Sequence, residues 1–359
     1  MKQWNTNRGE ERVIPEYDVF DLGVFAFSQR FFSKATLSGG LRFDIRDLNS
    51  REFKEGPVTR FNPLQRSFSN FSGSIGISQE LSEKITLKLN VARGFRTPTV
   101  AELLSNGTHE GTDRYEYGTT SLRSETSLQG DAGLEMSFDH FNLGLSLFYN
   151  RINDFIFYRK LQNEMGGDSL VPVDGEFIPA FQFNQQDATL KGFEFNLDIH
   201  PHPLDWLHIE NTISFVRGLF DNAISGDRDL PLIPAPRIIS ELRADFPKAG
   251  NHFRNLYAKM EMDHNFSQSH PFSAFSTETS TPAYTLINMG TGVDLYEKKK
   301  QRTFLSVHLA LSNVFDQAYQ SHLSRLKYTQ ENLVTGRRGV FNMGRNFSVR
   351  MNVPLHFTR

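Results

Sequence analysis

The feature that most constrains this chain is an alternation of apolar and polar residues with period two, repeated over about thirteen segments of the 359-residue sequence. Ile85, Leu87, Leu89 and Val91 fall on one phase, and Thr86, Lys88, Asn90 and Ala92 on the other. Leu37, Gly39, Leu41, Phe43 and Ile45 likewise oppose Ser38, Gly40, Arg42, Asp44 and Arg46. Successive side chains of a strand leave opposite faces, so each such segment has one apolar and one wet face. The segments are 17–30, 34–46, 67–79, 84–95, 126–138, 141–158, 179–199, 206–217, 236–246, 254–265, 284–296, 303–315 and 339–357. Short connections (31–33, 80–83, 139–140, 201–205, 247–252, 297–302) alternate strictly with long ones (47–66, 96–125, 159–178, 218–235, 266–283, 316–338). Two-faced strands of this length, joined by hairpins that are in turn tight and long, make the pattern of an all-β transmembrane antiparallel barrel. Its turns are periplasmic and its long loops external. Phe193, Phe195, Leu197 and Ile199 oppose Glu194, Asn196, Asp198 and His200, and nearly all charges keep to the polar phase, as a lipid-facing wall requires.

Composition narrows the function. The 33 Phe suit strands and lipid contact. The absence of Cys removes disulfides, thiolate metal sites and Cys nucleophiles together. No apolar run is long enough for a spanning helix, and the mean hydropathy of −0.43 fits a barrel, in which every second strand residue is wet. A formal charge of −2 suggests no nucleic-acid partner. No phosphate loop, His-Glu-x-x-His helix or Gly-x-Ser-x-Gly elbow is present, and Ser306 and His308 share a face only as a spacing of two dictates, so the chain reads as no enzyme and as needing no cofactor. The N-terminal Met1-Lys2-Gln3-Trp4-Asn5 lacks the apolar stretch of a signal peptide. The last strand runs toward the periplasm, and so by parity does the first of thirteen. An odd antiparallel meander cannot close, and the expectation is an incomplete barrel over 1–359 whose N-terminal part lies elsewhere; the alternative is one strand merged or split in this reading, within 141–199, where the period is poor.

Several motifs then occur in order. Asn90-Val91-Ala92-Arg93-Gly94-Phe95-Arg96-Thr97-Pro98-Thr99-Val100-Ala101-Glu102-Leu103 resembles the A-R-G-F-R-x-P-x-x-x-E-L signature of TonB-dependent outer-membrane receptors. Gly118, Leu122 and Ser124-Glu125 resemble the segment that follows it there, with Ser124 where Pro is usual. Leu190-Lys191-Gly192-Phe193-Glu194, Leu311-Ser312-Asn313-Val314-Phe315-Asp316-Gln317-Ala318-Tyr319 and Gly344-Arg345-Asn346-Phe347 are similar to three later elements of the same family. From the residues alone these are parts of a wall: Pro98 ends a strand, and Gly192 and Gly344 mark bends or close approaches. Asn342, Gly344, Phe347, Val349 and Phe357 have the spacing expected of a strand read by the barrel-assembly machinery. The resemblance implies a 22-stranded barrel with a plug, of which this chain would hold strands ten to twenty-two and no plug. It also implies TonB as the energising partner, through that plug.

The outer loop 105–118 is the candidate for ligand contact. His109, Glu110, Asp113 and Glu116 offer imidazole and carboxylate donors suited to borderline metals, His109 and Glu110 foremost, while Tyr115 and Tyr117 offer rings. The run looks like the subgroup of receptors for metals, haem or ferric chelates. The competing reading is that it packs the loop, with Glu116 and Arg114 paired at the mouth. His264, His270, His322, Phe272 and Phe275 are further outer-loop candidates with the same two readings. The expectation is therefore an outer-membrane receptor for TonB-energised uptake of a metal ion, ferric siderophore or haem. A carbohydrate or peptide importer of the same fold and a non-transporting surface barrel are the alternatives.

Overall fold

A computed structural model describes residues 1–7, 9, 12–109, 114–299 and 301–355. Its core is one antiparallel sheet. The wall strands are β1 (Lys2–Asn5), β2 (Tyr17–Phe31), β3 (Ala35–Ser50), β4 (Leu64–Ser82), β5 (Ile85–Arg96), β6 (Glu125–Ser137) and β7 (Phe141–Lys160). They continue as β8 (Glu176–Ile199), β9 (Leu207–Ile224), β10 (Arg237–Ala249), β11 (Phe253–Asn265), β12 (Tyr284–Glu297), β13 (Arg302–Ser312) and β14 (Asn346–Asn352). Each pairs with the next in chain order. Among the described residues β1 and β14 are the two edges, and no pairing joins them.

The register turns the period-two pattern into two surfaces. One cross-strand row runs Leu37, Ile77, Leu89, Ala132, Leu147, Phe193 and Phe215 without a polar residue. The row one residue away runs Thr36, Ser78, Lys88, Gly133, Ser146, Glu194, Ser214 and Arg237. A slip of one residue would exchange these faces, so pairing is strongly specified. The apolar surface stays open, with Val24 61%, Ile75 60% and Val91 51% exposed, which water would penalise and lipid would not. The polar surface is laced by pairs such as Lys88 with Glu135 at 2.5 Å, Asn90 with Asp131 at 3.1 Å and Lys259 with Glu241 at 2.7 Å. Arg93 breaks the phase rule: it follows Leu89 and Val91 onto the apolar face, near its long-loop end, and there donates to the Phe71 carbonyl.

Four segments depart from the sequence reading. Lys2–Asn5, outside the thirteen expected segments, pairs with Tyr17–Phe20 as β1, so the described sheet has fourteen wall strands and the odd-number argument does not apply to it. The final strand is shorter than 339–357, because 339–345 bonds to its own loop: Val340 N–H donates to Leu326 O at 2.9 Å and Asn342 N–H to Tyr319 O at 3.0 Å. The segment 303–315 ends at Ser312, since Asn313 takes φ 51° and its side chain holds Gln317 by bonds of 2.9 and 2.8 Å. Pro247, read as a turn residue, lies inside β10. The β10–β11 ladder skips Pro247, which has no N–H to give, and resumes in the same register with Lys248 opposite Arg254, while the irregularity beside Asn255 (φ 49°) lies on the side of β12.

Buried residues concentrate at the long-loop end. One cluster joins Val19, Leu48, Phe68, Val100, Leu103, Leu104, Leu122, Ile156 and Phe183, and a second joins Phe157, Ala188, Phe220, Leu230, Phe272 and Ala274. The long loops thus have packed structure of their own, including the hairpins Phe53–Glu55/Val58–Phe61 and Asn106–His109/Arg114–Tyr117.

Candidate functional site at the long-loop mouth

The mouth is organised by Arg96, at the end of β5. Its guanidinium grips Glu125 through two bonds of 2.7 Å and Glu102 through Nη1 at 2.8 Å to both oxygens. Glu102 lies in the short helix α1 (Val100–Leu104), where it closes a reciprocal cap: Thr99 N–H donates to its carboxylate at 2.7 Å and its own N–H donates to Thr99 Oγ1 at 3.2 Å. Pro98 precedes this cap in an extended stretch, and Glu125 also accepts from Ile156 N–H. The A-R-G-F-R-x-P-x-x-x-E-L segment is therefore a clamp that ties β5, α1, β6 and β7 together. Gly118 permits the next step, for a Cβ there would strike the backbone of Leu103 and Leu104.

Clamped in this way, the 105–118 loop folds as a hairpin whose second arm also runs parallel to β8, Glu116 beside Phe181. Asn106 locks its base, accepting from Arg60 Nε at its carbonyl (3.2 Å) and donating through Nδ2 to Arg60 O (2.9 Å). Of the residues proposed from sequence, Tyr115 donates to Asn106 Oδ1 at 2.9 Å and packs on Tyr117, its phenol pushed up in pKa mainly by burial. Glu116 is buried, only 4% exposed. Both point into protein. Glu110, Asp113 and the side chain of His109 lie outside the described residues, as does Phe357 of the closing strand. Phe272 is fully buried against Phe157 and Phe220 and has no face left for a ligand, while Phe275 lies under the Arg159 guanidinium at 5.4 Å. His322 is buried with Glu278, Thr281 and Lys327, its Nδ1 2.9 Å from Thr281 Oγ1 and 3.2 Å from Lys327 Nζ. His264 bonds Thr285 at 2.8 Å, and exposed His270 sits 3.8 Å from Asp229.

Sequence reasoning missed Arg114 as more than a pairing partner. Its half-buried guanidinium lies over the rings of Phe181 (4.9 Å) and Tyr158 (5.8 Å). Burial first, and then the positive charge of Arg325, hold it below the ordinary arginine range, against the pull of Tyr158, Glu116 and Glu278. A guanidinium over two aromatic rings, with a second positive charge near enough to repel it, forms a place where an anion lowers the electrostatic energy. The basic and aromatic letters were legible, but 211 residues separate Arg114 from Arg325 and only the folded loops bring them together.

The remaining motifs prove to be joints of the wall. At Gly192 a Cβ would meet Phe215 O and the Phe148 ring. Asp316, at φ 55°, accepts from Arg345 N–H at 2.8 Å and occupies the space a Cβ on Gly344 would need. Phe347 and Val349 occupy the apolar face of β14, opposite Leu311 and Leu309.

A two-faced antiparallel wall with tight turns at one end and folded loops at the other has the build of an outer-membrane β-barrel wall. The chain belongs to the TonB dependent receptor-like, beta-barrel family, whose match covers residues 2–314. It is 33% identical over 166 residues to the Ferric enterobactin receptor of Pseudomonas aeruginosa, covering 41% of this chain and 20% of that protein. It is 26% identical over 237 residues to the Ferrienterobactin receptor of Escherichia coli, covering 61% and 29%. Among solved structures, the copper transporter OprC superposes with a TM-score of 0.73 at 17% identity, over 94% of this chain and 50% of that one. The Serratia marcescens hemophore receptor HasR gives 0.65 at 16%, over 96% and 53%. These structural likenesses establish the fold. The chain thus spans about a fifth to a third of these curated relatives and half of these solved chains.

Proposed function

We propose that this chain is the wall and outer mouth of an outer-membrane receptor that captures a scarce metal-containing nutrient, a ferric chelate foremost. Uptake is energised by the TonB complex acting on a plug in the whole protein. The observation that carries the choice of ligand is Arg114 held over the rings of Tyr158 and Phe181, with the positive charge of Arg325 acting on both Arg114 and Tyr158. A ferric tris-catecholate is a polyanion with aromatic faces, so it gains charge-assisted hydrogen bonds and cation–π contact at such a site. The names of the two enterobactin receptors agree with this reading. The outer lipid and the barrel-assembly machinery are its partners in the wall.

The test uses the full-length receptor in detergent and measures quenching of intrinsic fluorescence by ferric tris-catecholate, haem and Zn²⁺ in turn. Charged hydrogen bonds contribute about 1.5–3 kcal/mol each, so Arg114→Ala with Arg325→Ala should weaken catecholate binding by at least about tenfold. Wild-type affinity in that double variant would refute the site. A second reading, direct metal capture, rests on the donors of His109 and Glu110. It is favoured instead if His109→Ala with Glu110→Ala abolishes Zn²⁺ binding at the mouth while the arginine pair has no effect. Catecholate and metal binding unaffected by either pair, with uptake of a sugar or peptide, would establish the alternative importer.

A further inference from the structure

At the opposite end of the wall, four of the eleven histidines of the chain gather around one short turn: His140, His200, His202 and His208. Asp198 lies on β8 and His200 directly follows its last residue, two positions on, so the extended chain sets both on its polar face. The β8–β9 ladder pairs Ile199 with Ile209 and Asp198 with Glu210, and one step further its register sets His208 beside His200 on that same face. The Asp198 carboxylate lies between the two rings: one oxygen bonds His200 Nε2, and the other stands 3.8 Å from His208 Nδ1. The rings meet edge to face with centroids 4.7 Å apart. The three donor atoms lie within 4.8 Å of one another.

We propose that Asp198, His200 and His208 form a binding site for a borderline divalent cation such as Zn²⁺, Cu²⁺ or Ni²⁺. Two imidazoles and one carboxylate are a donor set that such ions select, and a three-residue set leaves a coordination position open for water or a passing ligand. Tetrahedral coordination at about 2.0–2.1 Å holds donors about 3.3–3.5 Å apart, a modest closure from the spacing observed. The second observation is Asp198 Oδ1: it is buried and has no hydrogen-bond partner among the described residues. A buried acceptor left unpaired is costly, and a cation supplies its partner. The backbone is rigid there, since the ladder fixes both strands and His200 N–H donates to His140 O at 2.8 Å. Asp198 and Glu210 also line a cleft of about 430 Å³ with Asn142, Asn196 and Thr212, so the site opens on a wet, polar surface. Its chemistry stands apart from the ligand proposed at the mouth; only its position at the periplasmic end rests on that reading.

The experiment takes the full-length receptor, purified without a polyhistidine tag and stripped with chelator. It titrates Zn²⁺ by calorimetry and Co²⁺ by its visible ligand-field bands, which report coordination by nitrogen and oxygen. Loss of a first ligand should cost no less than the roughly 10–100-fold lost with an outer partner, so His200→Ala, His208→Ala and Asp198→Asn should each weaken one binding event by at least tenfold. His109→Ala should leave that event in place. Heat-modifiable mobility on gels reports whether each variant is folded, and Asp198→Asn, which keeps the side-chain shape, covers the case in which a histidine variant is not. A wild type that takes up no Zn²⁺, or folded variants with the wild-type isotherm and Co²⁺ spectrum, would overturn the site.

Discussion

Replacing Glu125 with Ala should unlatch the outer mouth while leaving the wall intact. Glu125 is buried, with its side chain 12% exposed, and it makes two 2.7 Å bonds to Arg96, whose own side chain is 42% exposed. Removing one partner of a fully buried ion pair costs about 3–5 kcal/mol, whereas an exposed pair contributes about 0.2–1 kcal/mol. Arg96 keeps Glu102 at 2.8 Å and some access to water, which places the charge effect toward the lower figure. The Ile156 N–H loses its acceptor as well, and an unpaired buried donor costs about 1–3 kcal/mol. Together these give about 2–3 kcal/mol, or an opening constant for the mouth raised about 30- to 150-fold. Because opening is local, the assay is limited trypsin digestion of the full-length receptor, following cleavage after Arg114 and Arg123, whose rate tracks the open population when reclosing is fast. Heat-modifiable mobility should remain that of wild type. Glu125→Gln keeps an acceptor for Ile156 but loses the charge, so its cleavage rate should fall between the two. Cleavage of Glu125→Ala at the wild-type rate, or equal rates for Ala and Gln, would refute the clamp.

Further outcomes follow from the wall and its joints. Single cysteines at Gly56 or Thr335 of the full-length protein should label with an impermeant thiol reagent on intact cells, while those at Ser33 or Gly250 should not; equal labelling would overturn the orientation. Val349→Arg puts a cation on the apolar face of β14, at about 2–4 kcal/mol near a bilayer midplane, and should sharply lower the amount of receptor in outer-membrane fractions. Ser348→Arg, on the polar face, should assemble as wild type; the reverse order would mean the phase is misread. Gly118→Ala forces a Cβ into the backbone of α1 and should loosen the mouth by about 1–3 kcal/mol, read as faster cleavage after Arg123 with an unchanged wall.

How legible each region was follows from the range of the forces that shape it. The thirteen strand segments could be read because period two is a local property, visible in eight residues, and each overlaps a strand of the sheet. Their ends were harder. Pro247 looked like a turn residue, yet Phe246 and Lys248 on either side of it pair with Leu256 and Arg254, and 339–345 alternates like a strand but bonds to residues 319–326 of its own loop. In both cases a partner distant in sequence decides, and nothing within the segment announces it. The His-rich turn was partly legible: Asp198, His200 and His208 stand across a short connection, where a hairpin must bring its arms together. Which residues face each other depended on register.

The sequence by itself determined the wall: two faces, their apolar and polar assignment, the alternation of short and long connections, and the motifs that resemble the receptor family. These follow from side-chain direction along an extended backbone, which needs no knowledge of the rest of the chain. Only the tertiary structure decided the mouth. It turned Tyr115 and Glu116 into protein, buried Phe272 against Phe157 and Phe220, and set Arg325 near Arg114. Loops have no periodicity to impose direction on a side chain, so their chemistry is fixed by whatever the clamp and the two buried clusters bring together.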